Sequence, residues 1–140
     1  MTKYSQVSLV IPGEPIPKAR ARTLKAGYSF TPKTTVEYRE LIQSCWLAEH
    51  LVEEITHPIQ MAIKFFLGAP KYLQKKNPTG ISLELLPAAG RKDVDNMAKA
   101  IMDALEGLAY KNDSQIYSLL VVKYYSDNPR AEVMISWNKS

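Results

Sequence analysis

Residues 91–107 carry charged side chains whose types and spacing could do chemistry. Asp93 and Asp95 stand two residues apart, where the following sequence predicts the start of a helix. Asp95, Lys99 and Asp103 recur at intervals of four, which would stack carboxylate, ammonium and carboxylate along one helix face about 6 Å apart. Hard cations such as Mg²⁺ prefer carboxylate oxygens as ligands. The acidic pair at the helix start is therefore a candidate cation site.

The same residues also have a purely structural interpretation. Aspartate at a helix N-terminus can cap free backbone N–H groups and complement the helix dipole. Asp95, Lys99 and Asp103 could then be a row of exposed ion pairs. A second acidic site, in the turn Asn112–Gln115 just before an apolar strand, favours the chemical interpretation. Carboxylates in loops beside the end of a strand are typical ligand positions.

The apolar residues of the stretch predict the helix that positions this charged face. They recur at offsets of three and four, the period of a helix that buries one stripe. They are Met97, Ala98, Ile101, Leu105 and Leu108. Gly107 is placed to serve as the C′ glycine that ends the helix.

Alternating patterns and turn residues predict the remaining elements. A second helix has Thr34 as its N-cap, Glu37 in the capping-box position, and an apolar stripe that continues to about Glu54. The predicted strands are Gln6–Ile11, Tyr28–Phe30, Ile59–Phe66, Ile81–Leu86, Ile116–Tyr125 and Ala131–Trp137. This order lacks a regular βαβ rhythm. It predicts one α+β domain over residues 1–140, with a mixed, largely antiparallel sheet and two helices packed on it.

Composition agrees with a single globular core. The chain has 140 residues, of which 46% are hydrophobic, and no apolar run approaches the roughly 20 residues of a membrane span. Without a signal-peptide core at the N-terminus, we expect a cytoplasmic protein that has no membrane partner. Cys45, the one cysteine, is predicted to be a buried small hydrophobe. His50 and His57 lack further ligands at zinc-site spacing.

The net charge of +4 is concentrated in two segments that contain no acidic residue. The segments contain Lys18, Arg20, Arg22 and Lys25, and, in a predicted loop, Lys71, Lys75 and Lys76. The first follows a stiff arm with three prolines between Pro12 and Pro17, and an extended backbone would put Lys18, Arg20 and Arg22 on one side. Such a segment either solvates a loop or neutralises a polyanion. Beside a cation site, the polyanion becomes the better interpretation, because a nucleic-acid enzyme needs both.

Four spaced motifs resemble the RusA family of Holliday-junction resolvases, small endonucleases of bacteria and their prophages. The motifs are Asp93–Leu105, Tyr110–Gln115, Pro15–Arg22 and Tyr28–Lys33, which occur in the family's order and are spread over most of the chain. Two positions depart from the family pattern. Lys92 stands where members often have Pro or Arg, and Asn112 stands where many have a further acid, which leaves the number of metal ions open.

The resemblance implies a RusA-like fold and a homodimer that cuts four-way DNA junctions with Mg²⁺, for which Mn²⁺ could substitute, and without an organic cofactor. It also implies that the carboxylates of each subunit form a separate active site. By position, Asp93, Asp95 and Asp113 match the metal-binding acids and Lys99 matches the catalytic lysine. Asn96 and Asp103 fall on motif positions with supporting roles. The residues expected to bind DNA are Lys18, Arg20, Arg22, Lys33, Lys75 and Lys76.

The predicted function is thus junction resolution by phosphodiester hydrolysis, in DNA recombination and repair. Two alternatives belong to other classes. A sugar-nucleotide transferase could use the Asp93–Asp95 pair to hold Mn²⁺ and a diphosphate. This function would leave the basic segment that contains Lys18, Arg20 and Arg22 unexplained. A DNA-binding protein without catalysis would need this basic segment but not Asp113 or the acidic pair.

Overall fold

The computed structural model describes residues 4–18, 22–23, 29–30, 33–49, 53–75, 82–90 and 92–139, with the side chains of 22–23, 29–30 and 74–75 left undescribed. The strands are β1 (Tyr4–Pro12), β2 (Arg22–Thr23), β3 (Ser29–Phe30), β4 (Ile59–Gly68), β5 (Ile116–Ser126) and β6 (Arg130–Asn138). The helices are α1 (Lys33–Glu49), α2 (Lys71–Lys75) and α3 (Val94–Leu105), and 3₁₀ turns form at Leu83–Leu85 and Asp113–Gln115.

The main sheet has four strands in the order β1-β6-β4-β5. The β1–β6 and β6–β4 pairs are antiparallel, whereas β4 and β5 are parallel. The crossover from β4 to β5 contains α3, as a parallel pair requires a long connection. β2 and β3 form a separate two-stranded sheet. The prediction of an α+β fold with a mixed, largely antiparallel sheet is confirmed.

One face of the main sheet packs against the two long helices. Met61, Ile63 and Phe65 of β4 are almost fully buried, and they alternate with less buried side chains that point to the opposite face. The predicted stripe of α3 is buried as expected, with Met97, Ile101 and Leu105 each 0% exposed and Leu108 half-buried. Burying each of these side chains stabilises the fold by about 1.5–3 kcal/mol. α3 is therefore fixed against the sheet along its length.

The direction of α3 decides where its charged residues lie. Its N-terminus is close to the C-terminal half of β5, because Lys123 of β5 donates hydrogen bonds to the carbonyl oxygens of Gly90 (3.0 Å) and Lys92. Asp113 belongs to the 3₁₀ turn that directly precedes β5. The N-terminus of α3 and Asp113 are consequently at opposite ends of β5.

The predicted strand Ile81–Leu86 is wrong. Residues Leu83–Leu85 form a 3₁₀ turn, in which the Ser82 side chain accepts a hydrogen bond from the backbone N–H of Glu84. The backbone hydrogen bonds to β5 begin only after this turn, from Ala88 N–H to Lys123 O and from Tyr125 N–H to Leu86 O. Pro87 has no N–H group to extend this pairing into a regular strand.

Two further boundaries differ from prediction. α1 already includes Lys33, so Thr34 lies within the helix and is not its N-cap. At the other end Glu53 and Glu54 are not helical, because the N–H of Ile55 bonds to Ala109 O at 2.8 Å and draws the chain toward the segment after α3.

The basic segment at Lys71 was predicted to be a loop but forms the short helix α2. No helix in the described ranges has the length and apolarity to span a bilayer.

Candidate active site

The N-terminal end of α3 presents two carboxylates to solvent. Asp93 occupies the N-cap position, but its side chain makes no capping hydrogen bond. Asp95 lies in the first turn, and both residues are exposed. Neither carboxylate forms a hydrogen bond or ion pair with the part of the chain that the structure describes. Side-chain capping does not account for Asp93, and both carboxylates are available to an external ligand.

The row of ion pairs along α3 does not form. Lys99 is exposed and pairs with neither Asp95 nor Asp103. The Asp103 carboxylate instead forms an ion pair with Lys18, from the proline-rich arm at residues 12–18. The backbone N–H of Lys18 also donates to the carbonyl of Asn96, at 3.0 Å. The arm is thereby attached along α3, and the Lys99 ammonium stays available for a ligand.

Two lysines hold the segment that leads into the acidic pair, Lys123 from β5 and Lys92 from the segment itself. Besides receiving the Lys123 hydrogen bond at its carbonyl, Lys92 uses its own ammonium to donate to Pro15 O at 2.6 Å and lies 3.4 Å from a Glu14 oxygen. Gly90 has a positive φ of 96°, which allows the chain to turn just before Lys92. Sequence reasoning missed the positioning role of Lys123. A lysine within the apolar run of β5 was the available signal.

Asp113 lies at the other end of α3, in a second acidic cluster. Its backbone N–H donates to a Glu106 carboxylate oxygen at 3.0 Å. Its Oδ1 atom is buried and accepts no hydrogen bond of ordinary geometry within the described part of the molecule. Burial, followed by the nearby carboxylates of Glu106 and Asp103, raises the pKa of Asp113 to about 6, although the Tyr110 hydroxyl opposes the shift. Negative charge is thus crowded at this end.

Glu106 is a residue of this cluster that sequence reasoning did not select. It is the C-cap of α3 and is exposed. A carboxylate at a helix C-terminus opposes the helix dipole, so its position there was a usable signal. Burial, followed by the charge of Asp113, raises the pKa of Tyr110, whose hydroxyl donates to Met102 O at 2.8 Å.

Structural roles explain the residues on either side of Asp113. Asn112 caps the 3₁₀ turn by accepting a hydrogen bond from Ser114 N–H at 2.9 Å, and Gln115 accepts one from the Asn112 N–H. The Gln115 amide also donates to the carbonyls of Ile55 and His57. Asn112 is therefore occupied as a cap. This network fixes the position of Asp113.

The predicted metal-binding aspartates do not meet within one chain. Asp93 and Asp95 precede or begin α3, and Asp113 follows it in contact with Glu106. The 12 residues of α3 separate the two ends by about 18 Å. Across the described residues, no three carboxylate, histidine or cysteine side chains are close enough to share an ion. Each end nevertheless supplies hard oxygen donors, and the unpartnered Asp113 Oδ1 fits a role as a ligand of Mg²⁺.

The basic residues predicted to bind DNA are only partly described. Lys18 is engaged with Asp103, while Lys33 is exposed and lies 3.7 Å from Glu37 on the next turn of α1. The others are Arg20 and Lys76, which lie outside the described residues, and Arg22 and Lys75, whose backbones alone are described. Cys45 is half-buried on α1 and packs against the core.

Comparison with known proteins places this arrangement in a family. The family described as endodeoxyribonuclease RusA matches residues 12–136, which include the arm, α3 and both acidic ends. The uncharacterized protein YqaN of Bacillus subtilis (strain 168) is 33% identical over 135 residues, or 92% of this chain and 94% of that protein. The match takes in every element that positions the acidic residues. This chain belongs to the RusA endodeoxyribonuclease family.

Proposed function

We propose that this protein is a structure-selective endonuclease that resolves four-way DNA junctions in recombination and repair. Two copies acting as a homodimer would make paired, symmetric nicks by Mg²⁺-dependent hydrolysis. The observation that carries the proposal is the pair of carboxylates, Asp93 and Asp95, which are exposed at the start of α3 and have no partner among the described residues, in a chain of the RusA family.

The acidic residues would hold the divalent ion, as the hard-oxygen donor set suits it. Asp93, Asp95 and Asp113 are the proposed ligands, with Mn²⁺ as a substitute for Mg²⁺. When bound, the ion stabilises the negative charge that develops at the scissile phosphate and the leaving oxygen. Hydrolysis adds a water oxygen to phosphorus and releases the 3′-oxygen, so the products carry 5′-phosphate and 3′-hydroxyl ends. Ends that a DNA ligase fails to reseal would contradict this chemistry.

Lys99 is the proposed catalytic cation. It lies one helical turn beyond Asp95, is exposed, and makes no ion pair with the described residues. An ammonium group on a flexible stem can act as a point charge toward a phosphate oxygen. Asn96 and Asp103 play supporting parts, since the Asn96 carbonyl and the Asp103 carboxylate both hold Lys18 of the arm.

The basic residues would neutralise DNA phosphates on either side of the cut. We assign this role to the set predicted from the sequence, Lys18, Arg20, Arg22, Lys33, Lys75 and Lys76. Lys18 would exchange its Asp103 partner for a phosphate when DNA binds. A two-fold dimer suits the substrate, because resolution requires cuts in two strands of like polarity and the dimer offers two equivalent sites.

The direct test is cleavage of a mobile four-way junction and a matched linear duplex, each with Mg²⁺ and with EDTA, with cuts mapped on all strands. We expect paired nicks confined to the junction in the presence of Mg²⁺. Asn substitutions at Asp93 and Asp95 should abolish the cuts and leave junction binding largely intact. Tight binding without cuts in Mg²⁺ or Mn²⁺ would instead identify a non-catalytic junction-binding protein.

A further inference from the structure

A cavity of about 180 Å³ opens beside the segment that leads into the acidic pair. One wall is formed by the end of β4 and by Tyr72 of α2, and another by residues 88–90, which lead toward Asp93. β4 and β5 are parallel strands joined through α3. Binding crevices in such parallel units lie at the carboxyl ends of the strands. The cavity is therefore placed to receive part of a ligand that also reaches the acidic pair.

The size and lining of the cavity suit one planar ring. Its volume is below the roughly 300–1,000 Å³ of pockets that hold drug-sized molecules. The walls contain apolar and short side chains, among them Leu67, Pro70 and Ala89. Tyr72 lines the cavity and is also 62% exposed. An exposed aromatic ring is the group on which proteins stack unpaired nucleobases.

Glu14 provides the cavity with a hydrogen-bond acceptor. One of its carboxylate oxygens accepts a hydrogen bond from the backbone N–H of Gly68 at 2.9 Å, and the Lys92 ammonium lies 3.4 Å from the other. An ionised carboxylate has about four lone-pair sites, so Glu14 can accept a further hydrogen bond from a ligand. Because the Lys92 ammonium offsets its charge, the carboxylate is also compatible with a bound nucleotide.

We infer that this cavity binds one unpaired base of the junction beside the scissile phosphate, and that Glu14 selects a base with an exocyclic amine. The inference rests on the proposed function. Adenine, cytosine and guanine carry an amine that can donate to a carboxylate, as cytosine does to Glu or Asp in DNA complexes, whereas thymine presents carbonyl oxygens instead. Tyr72 would stack on the bound base.

The position of the cavity would also favour cleavage at a branch point. Asp93 directly follows Lys92, which lines the cavity. A phosphate at Asp93 and a base in the cavity would thus belong to the same or to neighbouring nucleotides. Removing a base from an intact duplex breaks its pairing and stacking, and this costs least where the base is already unpaired. Linear duplex would therefore fill the cavity less readily than a junction.

Cleavage of junctions with a fixed branch point tests the selection by Glu14. Each nucleotide near the cut is varied among the four bases, and relative kcat/KM is measured with Mg²⁺. We expect one position at which thymine is disfavoured by about tenfold or more. Glu14→Gln should lose this preference, because an amide can donate as well as accept. The exposed Glu40→Gln on α1 should retain it.

Photocross-linking gives a second readout that needs neither metal nor cleavage. Iodocytosine, which carries the exocyclic amine and cross-links to aromatic side chains under ultraviolet light, is placed in turn at each nucleotide around the branch point. The complex is irradiated in EDTA, and mass spectrometry should locate the adduct at Tyr72. Ala89→Leu, which puts a larger side chain into the cavity, should abolish the adduct. Tyr4→Ala, which removes a ring of similar exposure (59%) from β1, should leave it unchanged.

The two readouts distinguish failure of this inference from failure of the proposed function. If the wild type cleaves junctions without disfavouring thymine, or if the preference survives Glu14→Gln, the inference is wrong. An adduct that forms only outside the cavity would overturn it as well. If the wild type does not cleave, the proposed function fails, and the cross-link alone decides whether the cavity takes a base.

Discussion

At the scale of single residues, the acidic side chains of this protein differ in whether the fold uses them. Asp103 pairs with Lys18, and Glu84 is bound by Arg130 and Ser126. Asp93 and Asp95 have no such partner in the described structure. Charged groups that a fold does not need for its own stability are the ones it can offer to a ligand.

This difference predicts how substitution at the acidic pair separates activity from stability. Asp95→Asn should leave the free energy of unfolding within about 0.5 kcal/mol of wild type, as expected for an exposed residue without partners. Cleavage of the junction should fall by a factor of about a hundred or more, since even indirect disruption of a metal site commonly costs 10–100-fold. Thermal unfolding and a cleavage assay are measured together, with Asp127→Asn in the exposed turn before β6 as the control. A parallel loss of stability and activity would indicate a structural role for Asp95.

At the scale of elements, the segment at residues 82–90 positions the start of α3. Its 3₁₀ turn is fastened by Glu84, which accepts hydrogen bonds from the Arg130 guanidinium at 2.9 Å and from the Ser126 hydroxyl. The same guanidinium lies 4.0 Å from the centre of the Phe66 ring. The segment then pairs with β5 through Leu86 and Ala88 before it reaches Asp93. The Glu84 contacts therefore support the functional site from a distance.

The Glu84 contacts make this support dependent on pH. Hydrogen bonds from Arg130 and then from Ser126 lower the pKa of Glu84 from its usual 4.5 to about 2. A pKa that is lower in the folded state means that Glu84 stabilises the fold above about pH 4.5, and that this contribution is lost as the pH falls toward 2. Thermal unfolding of Glu84→Gln should thus differ from wild type at neutral pH, and the difference should shrink near the folded pKa. The exposed Glu53→Gln is the control. An equal difference at both pH values would contradict the assignment.

At the scale of the whole molecule, DNA affinity depends on where a modest net charge of +4 is placed. If Arg20 and Arg22 contact phosphates, replacing each by alanine should weaken junction binding uniformly across sequences. It should also reduce the slope of log affinity against log salt concentration by about one per residue. Binding titrations at several salt concentrations measure this slope, with Lys139→Ala at the exposed C-terminal end as the control. An unchanged slope for both variants would exclude Arg20 and Arg22 from the interface.

Much of the fold was predictable because it follows from local patterns. The stripe of Met97, Ile101 and Leu105 predicted α3, and the alternation in β4 and β6 predicted which side chains are buried. Each pattern repeats with the period of its own element, so neighbouring residues are sufficient to specify it. The boundaries were less predictable, because contacts distant in sequence set them. Ile55, for example, leaves the helical pattern to bond with Ala109.

The sequence by itself determined which side chains could do chemistry in this protein, because residue types and short spacings do not depend on how the chain folds. The acidic pair at the start of a helix, the downstream Asp113 and the family motifs are all of this kind. Tertiary structure alone decided which of them meet. It joined Lys18 to Asp103 across 85 residues and set Asp113 beside Glu106, at the far end of α3 from Asp93. The physical reason is that α3 runs antiparallel to β5 and is fixed by its buried stripe, so residues that share a sequence motif are held a helix length apart.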